Sequence, residues 1–370
     1  MKIAYVYDAV HPWETGGVQK RVWELGRRLA EEHDVHWYGL KYWDGPDVIE
    51  REGVTLHGVG PASDLYVDGR RSIPEALSFT ARLVRPLAGA KFDVIDCQEF
   101  PYFPCFASKF GALVDDATLL FTWHEVWDEY WHEYLGWKGV FGRGVEYATA
   151  HVPDEHVAVS EMTQRDADSL GASGVSLLPN GISIDEIEAA PCADRDIDVL
   201  FTGRLIPEKN ADLLVRTIEK LRVDRPDVSC LVLGEGPERE SIESLVSDRG
   251  LEANVDLKPF RDSYEDVLGL MKAADVLALP SQREGFGITA LEALAAGTPV
   301  ATIDHPRNAA TELVDDGMTG AVCDATPEAF AAGLRRATAA TDAAACRDAA
   351  ADYEWDRIAD RAEKLYREVA

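Results

Sequence analysis

Lysine is scarce in this chain. It supplies 11 of 370 residues against 26 arginines, while aspartate and glutamate together reach 66, for a formal net charge of −29. No stretch is basic enough to neutralise a row of phosphates, which sets nucleic acid aside as a partner. The acid is spread along the whole chain and exceeds what solubility asks for. It fits a protein made in a high-salt cytoplasm, where screening confines charge repulsion to short range. No run of eighteen apolar residues is present, and the opening Met1-Lys2-Ile3-Ala4-Tyr5-Val6-Tyr7 turns polar too soon for a secretory leader. It reads as a first buried strand. The six cysteines (Cys97, Cys105, Cys192, Cys230, Cys323, Cys346) form no C-x-x-C pair, so reduced thiols in a cytosolic protein are expected rather than structural zinc. A G-x-G-x-x-G fingerprint is missing as well, and nothing else points to a dinucleotide.

What is present is α/β patterning, written twice. The length favours two domains. In the first half, apolar strands at 3–7, 35–40, 93–96, 119–122 and 156–160 alternate with helical stretches, the clearest at 19–31. The pattern restarts at 198–203, with further strands at 229–234, 255–257, 276–279, 299–303 and 320–323 and helices at 211–221 and 237–246. Between the halves, 182–198 is polar and carries Pro191, so the boundary is expected there. Residues 337–351 are rich in alanine and favour helix, and 355–369 read as an amphipathic helix. Ligands are expected at the C-terminal strand ends.

Four motifs sit at such ends. Glu284-Gly285-Phe286-Gly287-Ile288-Thr289-Ala290-Leu291-Glu292 follows a strand ending at Pro280 and opens a helix stopped by Gly297-Thr298-Pro299. The first backbone N–H groups of such a helix lack partners and suit a phosphate, and Glu284 and Glu292 flank it. Gly203-Arg204-Leu205-Ile206-Pro207-Glu208-Lys209-Asn210 places two cations five residues apart in one loop. They can converge on a diphosphate, Arg204 as a fork and Lys209 as a point charge. Gly16-Gly17 lets the backbone approach a ligand closely and tolerates positive φ. Thr122-Trp123-His124-Glu125 puts a histidine where it can bond a sugar hydroxyl. A metal held by His124, Glu125 and His132 is the rival, at a spacing that matches no familiar ligand pattern. The aromatics after it (Trp127, Tyr130, Trp131, Tyr134, Trp137) read either as core or as an acceptor platform. Leu178-Pro179-Asn180-Gly181-Ile182 is a turn at the hinge. Arg70, Arg71, Arg82, Arg85 and Lys91, interleaved with Leu77, Phe79, Leu83, Val84 and Leu87, form either a face toward anionic lipid or, more plainly, partners for nearby carboxylates.

Together these residues resemble the retaining glycosyltransferases of family 4. The most specific stretch is Pro280-Ser281-x-x-Glu284-Gly285-Phe286-Gly287 running to Glu292 and Gly297-Thr298-Pro299-Val300, with Gly203-Arg204 and Glu208-Lys209 upstream. The resemblance spans nearly the whole chain and implies a GT-B fold. Its parts would be an acceptor-binding Rossmann-like domain at 1–181, a donor-binding one at 182–352, and a last helix at 353–370 packing on the first. It also implies roles. Arg204 and Lys209 would hold the donor diphosphate, with amides near Gly16, Gly17, Phe286, Gly287 and Ile288. Glu292 would bond the ribose, Glu284 would face the transferred sugar and His124 would line the reaction centre. The base would lie near Gly234 and Pro259. Three departures stand out: Glu125 where aspartate is common, Pro259 where a glycine is usual, and 304–310, usually richer in glycine, though Glu312 keeps its place.

The expected reaction moves a sugar from a nucleotide sugar to an acceptor hydroxyl, with retention, in surface-glycan or lipid-linked oligosaccharide assembly. Neither metal nor other cofactor is expected, because Arg204, Lys209 and a helix N-terminus supply the positive field. A nucleotide-sugar epimerase and a non-catalytic carbohydrate-binding relative are the alternatives. Such an enzyme would sit in the cytoplasm, with peripheral membrane contact through the Arg70–Lys91 region.

Overall fold

The computed structural model describes residues 1–67, 70–260, 263–340 and 342–370, with the backbone alone at 66, 67, 70 and 340. The chain divides into two compact units, Met1–Asn180 with Trp355–Ala370, and Gly181–Glu354.

The first unit carries β1 (Lys2–Val6), β2 (Asp34–Lys41), β3 (Val48–Arg51), β4 (Val54–Pro61), the short pair β5 (Tyr66–Val67) and β6 (Arg70–Arg71), β7 (Val94–Gln98), β8 (Thr118–Trp123), β9 (Glu155–Ala158) and β10 (Ser176–Leu177). Its main sheet has the order β10-β9-β8-β7-β1-β2-β4-β3, parallel except where β3 returns against β4. That hairpin edge is absent from the sequence reading, since 48–51 alternates exposed and half-buried positions and lacks an apolar run. Alternation along β1 shows how the sheet is sandwiched. Ile3 and Tyr5 join a core with Val22 and Leu25 of the helix Gly17–Leu29 and Trp355, Ile358 and Tyr366 of the helix Trp355–Val369. Ala4 and Val6 join the opposite core, with Phe79, Leu83 and Leu87 of the helix Ile73–Leu87, Cys105 and Ala112 of Pro104–Asp115, and Trp131. Trp355, Ile358 and Tyr366 are fully buried. At roughly 1.5–3 kcal/mol for each large apolar side chain, they suffice to hold the last helix on this unit.

In the second unit β11 (Ile197–Thr202), β12 (Cys230–Leu233), β13 (Val255–Lys258), β14 (Ala274–Leu279), β15 (Val300–Ile303) and β16 (Gly320–Cys323) form a parallel sheet ordered β13-β12-β11-β14-β15-β16. Its inner strands β11, β12 and β15 are buried on both faces and read as largely apolar runs, as parallel sheets require, whereas the edge strand β13 is half-exposed. The polar segment between the halves is not all loop, because Ile184–Ala189 is a short helix. The alanine-rich stretch is two helices, Pro327–Ala340 and Ala343–Ala350, the second capped by Asp342, whose side chain accepts from Ala344 N. Among the described residues no helix is long and apolar enough to cross a membrane.

Candidate active site

In the second sheet β11 and β14 are neighbours whose onward connections leave toward opposite edges, to β12 and to β15. Such a reversal opens a crevice beyond the carboxyl ends of the two strands. The loops at that point are 203–210 and 280–287, the two segments that carry the charged motifs. They are laced together: Gln282 N donates to Glu208 O at 2.8 Å and Asn210 Nδ2 donates to Pro280 O at 3.1 Å. A single 3-10 turn, Pro207–Lys209, ends where Asn210 takes the left-handed conformation at φ 54°, a geometry that asparagine tolerates better than most residues. The turn delivers the Lys209 ammonium onto the Glu284 carboxylate. Arg204 is exposed, and its side chain makes no ion pair or hydrogen bond to the described residues. The structure thus joins Lys209 to Glu284 and leaves Arg204 in solvent.

The helix Ile288–Ala296 begins at Gly287 (φ 94°), and no side chain caps its first turn. Only glycine fits there, since a Cβ would come within 2.7 Å of the Ala310 Cβ in addition to the left-handed strain. The turn is pinned from below, with Glu284 N donating to Arg307 O and Ala309 N to Glu284 O, both at 2.9 Å. Glu292 lies on this helix at 7% exposure among apolar neighbours, and Tyr264 donates a hydrogen bond to its carboxylate. A buried carboxylate needs such partners, and Tyr264 was not singled out from sequence. Ile288 is half-buried, whereas Phe286 is core, its ring 6.0 Å from that of Tyr353.

The backbone geometry at three of these glycines is defined. Gly234 serves loop packing: a Cβ there would lie 2.2 Å from Gly203 O, so the ends of β11 and β12 close on each other. Gly16 and Gly17 do not use the left-handed region; Gly16 has φ 172°, extended backbone open to any residue, and precedes the helix Gly17–Leu29. Pro259 is exposed at the end of β13.

His124 follows β8 in the first unit. Its backbone N–H and that of Glu125 both donate to Glu99 Oε2. The Glu99 carboxyl is 2% exposed, and Tyr102 OH bridges it to Glu146 at 2.8 and 2.9 Å. Burial, then the Glu125 charge, pushes Glu99 up to about 8. Glu146 is fully buried and raised by that burial; it accepts from Trp127 N, Asp128 N and Trp131 Nε1. Two carboxyls therefore hold the whole turn from His124 to Trp131. Burial, with the Arg21 charge, lowers His124 to about 3, so the ring is neutral at physiological pH. The metal alternative finds no support in these contacts: Glu125 accepts from Trp127 Nε1. The aromatic stretch divides, Trp131 in the core at 7% exposure and Trp137 outside at 76%. Arg21, 1% exposed, donates to Pro179 O at 2.7 Å and Asn180 Oδ1 at 3.1 Å, which anchors the Pro179-Asn180 turn.

The basic cluster is thinner than its sequence suggests. Arg71 pairs with buried Asp8, and of Arg70 only the backbone is described. Phe79, Leu83 and Leu87 face the core, while Ile73, Leu77 and Val84 are exposed.

Two open parallel sheets with a last helix returning to the first unit define a GT-B protein. Solved structures agree along the full length. Sucrose-phosphate synthase from Thermosynechococcus elongatus superposes with a TM-score of 0.81 at 21% identity, over 99% of this chain and 98% of that one. HepE of Anabaena, solved in complex with UDP, gives 0.77 at 17% over 100% of both. In sequence, residues 15–186 match Glycosyltransferase Family 4 and residues 184–351 match Glycosyl transferases group 1. The chain belongs to glycosyltransferase family 4. Among curated relatives, the D-inositol 3-phosphate glycosyltransferase of Mycobacterium sp. (strain KMS) is 38% identical over 136 residues, 35% of this chain and 29% of the relative. The GDP-mannose-dependent alpha-(1-6)-phosphatidylinositol monomannoside mannosyltransferase of Mycolicibacterium smegmatis is 33% identical over 188 residues, 45% of this chain and 48% of the relative. The matches thus span less than half the length of either relative.

Proposed function

We propose that this chain is a retaining glycosyltransferase that moves a sugar from a nucleoside diphosphate sugar to an acceptor hydroxyl. The observation that carries the reading is the Lys209–Glu284 pair beside an uncapped helix N-terminus at the switch point of the second sheet. Breaking the sugar–phosphate bond builds negative charge on the leaving diphosphate. Lys209, Arg204 and the amides of Gly287 and Ile288 supply positive potential where that charge appears. The bond from the anomeric carbon to the phosphate oxygen breaks, and the acceptor oxygen bonds to the same face of that carbon. Its proton leaves with the departing phosphate. Glu284 then holds hydroxyls of the transferred sugar, Glu292 the ribose, and His124 a hydroxyl at the reaction centre. This charge set needs no metal in the proposed reaction, and chelation with EDTA is expected to leave turnover unchanged.

The names of the mycobacterial relatives, with GDP-mannose and inositol phosphates, and the UDP bound to HepE support a nucleotide-sugar donor. We place the reaction in surface-glycan or lipid-linked oligosaccharide assembly in the cytoplasm. Peripheral membrane contact would come through the exposed Ile73, Leu77 and Val84 with Arg82 and Arg85 on the same helix. Co-sedimentation with phosphatidylglycerol vesicles but not with phosphatidylcholine is expected, and equal recovery on both would remove this contact. The net charge of −29 supports a high-salt cytoplasm. A melting temperature that climbs steeply from dilute buffer to molar salt is expected, and full stability in dilute buffer would count against it.

The function itself is tested by incubating the protein at high salt with a panel of nucleoside diphosphate sugars. The expected result is release of the nucleoside diphosphate from one of them. A sugar inverted at C2 without transfer would instead indicate an epimerase.

A further inference from the structure

The buried polar residues around His124 form a chain that no sequence motif contains. His124 Nε2 lies 3.1 Å from Gln98 Oε1. The amide of Gln98 is oriented by its other end, where Nε2 donates to Asp96 Oδ1 at 2.7 Å. Asp96 Oδ1 also accepts from Thr122 Oγ1 at 2.8 Å, and Asp96 Oδ2 accepts from Tyr366 OH at 2.6 Å. Tyr366 belongs to the helix Trp355–Val369, and its oxygen is 3.2 Å from that of Tyr5. Asp96 and Gln98 are each 1% exposed, and Tyr366 is fully buried. They lie two residues apart on β7 and so share one face of the strand.

The direction of each bond follows from what each group can give. Burial pushes the Asp96 carboxyl upward, while the hydrogen bonds from Tyr366 and Thr122 and the Arg21 charge work the other way. With those donors already directed at both of its oxygens, Asp96 is placed as an acceptor, so the Gln98 NH2 faces Asp96 and its carbonyl oxygen faces the imidazole. That oxygen only accepts, so His124 Nε2 must carry the proton. In a neutral ring the lone pair is then left on Nδ1. Among the described residues Nδ1 has no hydrogen-bond partner.

We propose that Gln98 is a positioning residue that locks His124 in the neutral Nε2-protonated tautomer, so that Nδ1 accepts a hydrogen bond from a substrate hydroxyl, with the last helix setting the orientation of Gln98 through Tyr366 and Asp96. The proposal rests on the reading of His124 as part of the reaction centre. It gives the returning helix a task beyond packing, because Tyr366 supplies the donor for the second oxygen of Asp96. Burial and the Arg21 charge keep the ring from taking a second proton, which is the other condition for a free lone pair.

The test reads the tautomer and the kinetics separately. In the full chain labelled with 15N-histidine, the His124 signals, assigned by their loss in His124→Asn, are expected to show the Nε2-protonated form alone from pH 6 to 8. Gln98→Met keeps side-chain length but offers only the weak thioether acceptor, and is expected to yield a mixture of tautomers. With it, kcat should fall about tenfold while the donor KM stays within about twofold, as for a bond used in the transition state. Tyr366→Phe should give a smaller shift of the same kind. If hydrolysis of the donor without acceptor falls in parallel, the hydroxyl belongs to the transferred sugar; if only transfer falls, it belongs to the acceptor. An Nδ1-protonated or mixed ring in the parent protein overturns the proposal, as does a Gln98→Met variant with an unchanged tautomer or an unchanged kcat. Should the tautomer be locked while no nucleotide sugar is turned over, it is the glycosyltransferase reading that fails.

Discussion

Each sheet gathers chemistry beyond the carboxyl ends of its strands, and the two clusters are opposite in kind. Beyond β11 and β14 stand charges that solvent still reaches: Arg204 exposed, Lys209 and Glu284 at 20% and 12% side-chain exposure. Beyond β7 and β8 the groups are dry and held by hydrogen bonds, with Glu99, Gln98 and Asp96 all at 2% exposure or less. A site that must meet a dianionic leaving group gains from cations that are paired but exchangeable, because a fully desolvated charge would be costly to keep without its partner. A site that must orient one imidazole gains from fixed donors and acceptors instead. The lesson is that exchangeable charge is kept wet and orientation is kept dry.

The largest expected effect falls on the charged side. Lys209→Ala should lower turnover by about two to three orders of magnitude, as for loss of a cation used in the transition state. Nucleotide release from the active donor measures it. Unchanged turnover would remove the diphosphate assignment and with it half of the contrast.

A smaller and two-signed effect follows from the Lys209–Glu284 pair. Glu284 occupies the Lys209 ammonium, so a diphosphate must compete for it. Glu284→Gln removes the competing charge. Uridine or guanosine diphosphate should then bind several-fold tighter by calorimetry, while transfer slows about tenfold because the sugar loses its carboxylate. Weaker diphosphate binding in this variant would mean that the pair supports the site rather than competes within it.

Next in size is a backbone effect. Gly287→Ala places a Cβ 2.7 Å from that of Ala310 at φ 94°, a position where side chains are strained. A cost of about 1–3 kcal/mol is expected, seen as a lowered melting temperature together with weaker diphosphate binding. A melting temperature equal to that of the parent would show that the turn is free to relax.

Much of the charged side was legible in sequence, because it lies in contiguous loops. Arg204, Lys209, Glu284 and Glu292 sit in two short segments flanked by strand and helix signals, and the sheet order brings those segments together. The dry side was legible only at His124. Its partners come from β7, from the helix Gly139–Thr149 and from the chain's last helix, up to 270 residues away in the case of Asp96 and Tyr366. Glu146 looks like any helical glutamate until Tyr102 and three further donors surround it. A signal did exist in β7, where Asp96 and Gln98 interrupt an apolar strand, and buried polar residues in such a place call for partners. The β3–β4 hairpin and the close packing at Gly234 were hidden for a similar reason, since each depends on neighbours that only the folded chain supplies.

The smallest expected effect tests the dry side by pH. Glu99 carries a carboxyl whose folded-state value is pushed up to about 8, first by burial and then by the Glu125 charge. Between about 4.5, its unfolded value, and about 8 the folded chain binds more protons than the unfolded one. Its stabilising contribution is therefore complete below that window and is lost as pH rises through it. Glu99→Gln mimics the protonated carboxyl: its oxygen still accepts from His124 N and Glu125 N, and its NH2 faces Tyr102 OH. Melting curves taken from pH 5 to 8.5 should lose the part of the downward slope that belongs to Glu99, leaving the variant higher than the parent at pH 8.5 by about 2–4 °C for each kcal/mol recovered. The contribution of Glu146, raised by burial in the same cluster, remains in both proteins and keeps some slope. A variant that melts below the parent at every pH would show that the ionised carboxylate is what holds the His124 turn. In that case the His124 turn, too, would be held by charge, and the two strand-end clusters would differ in accessibility alone.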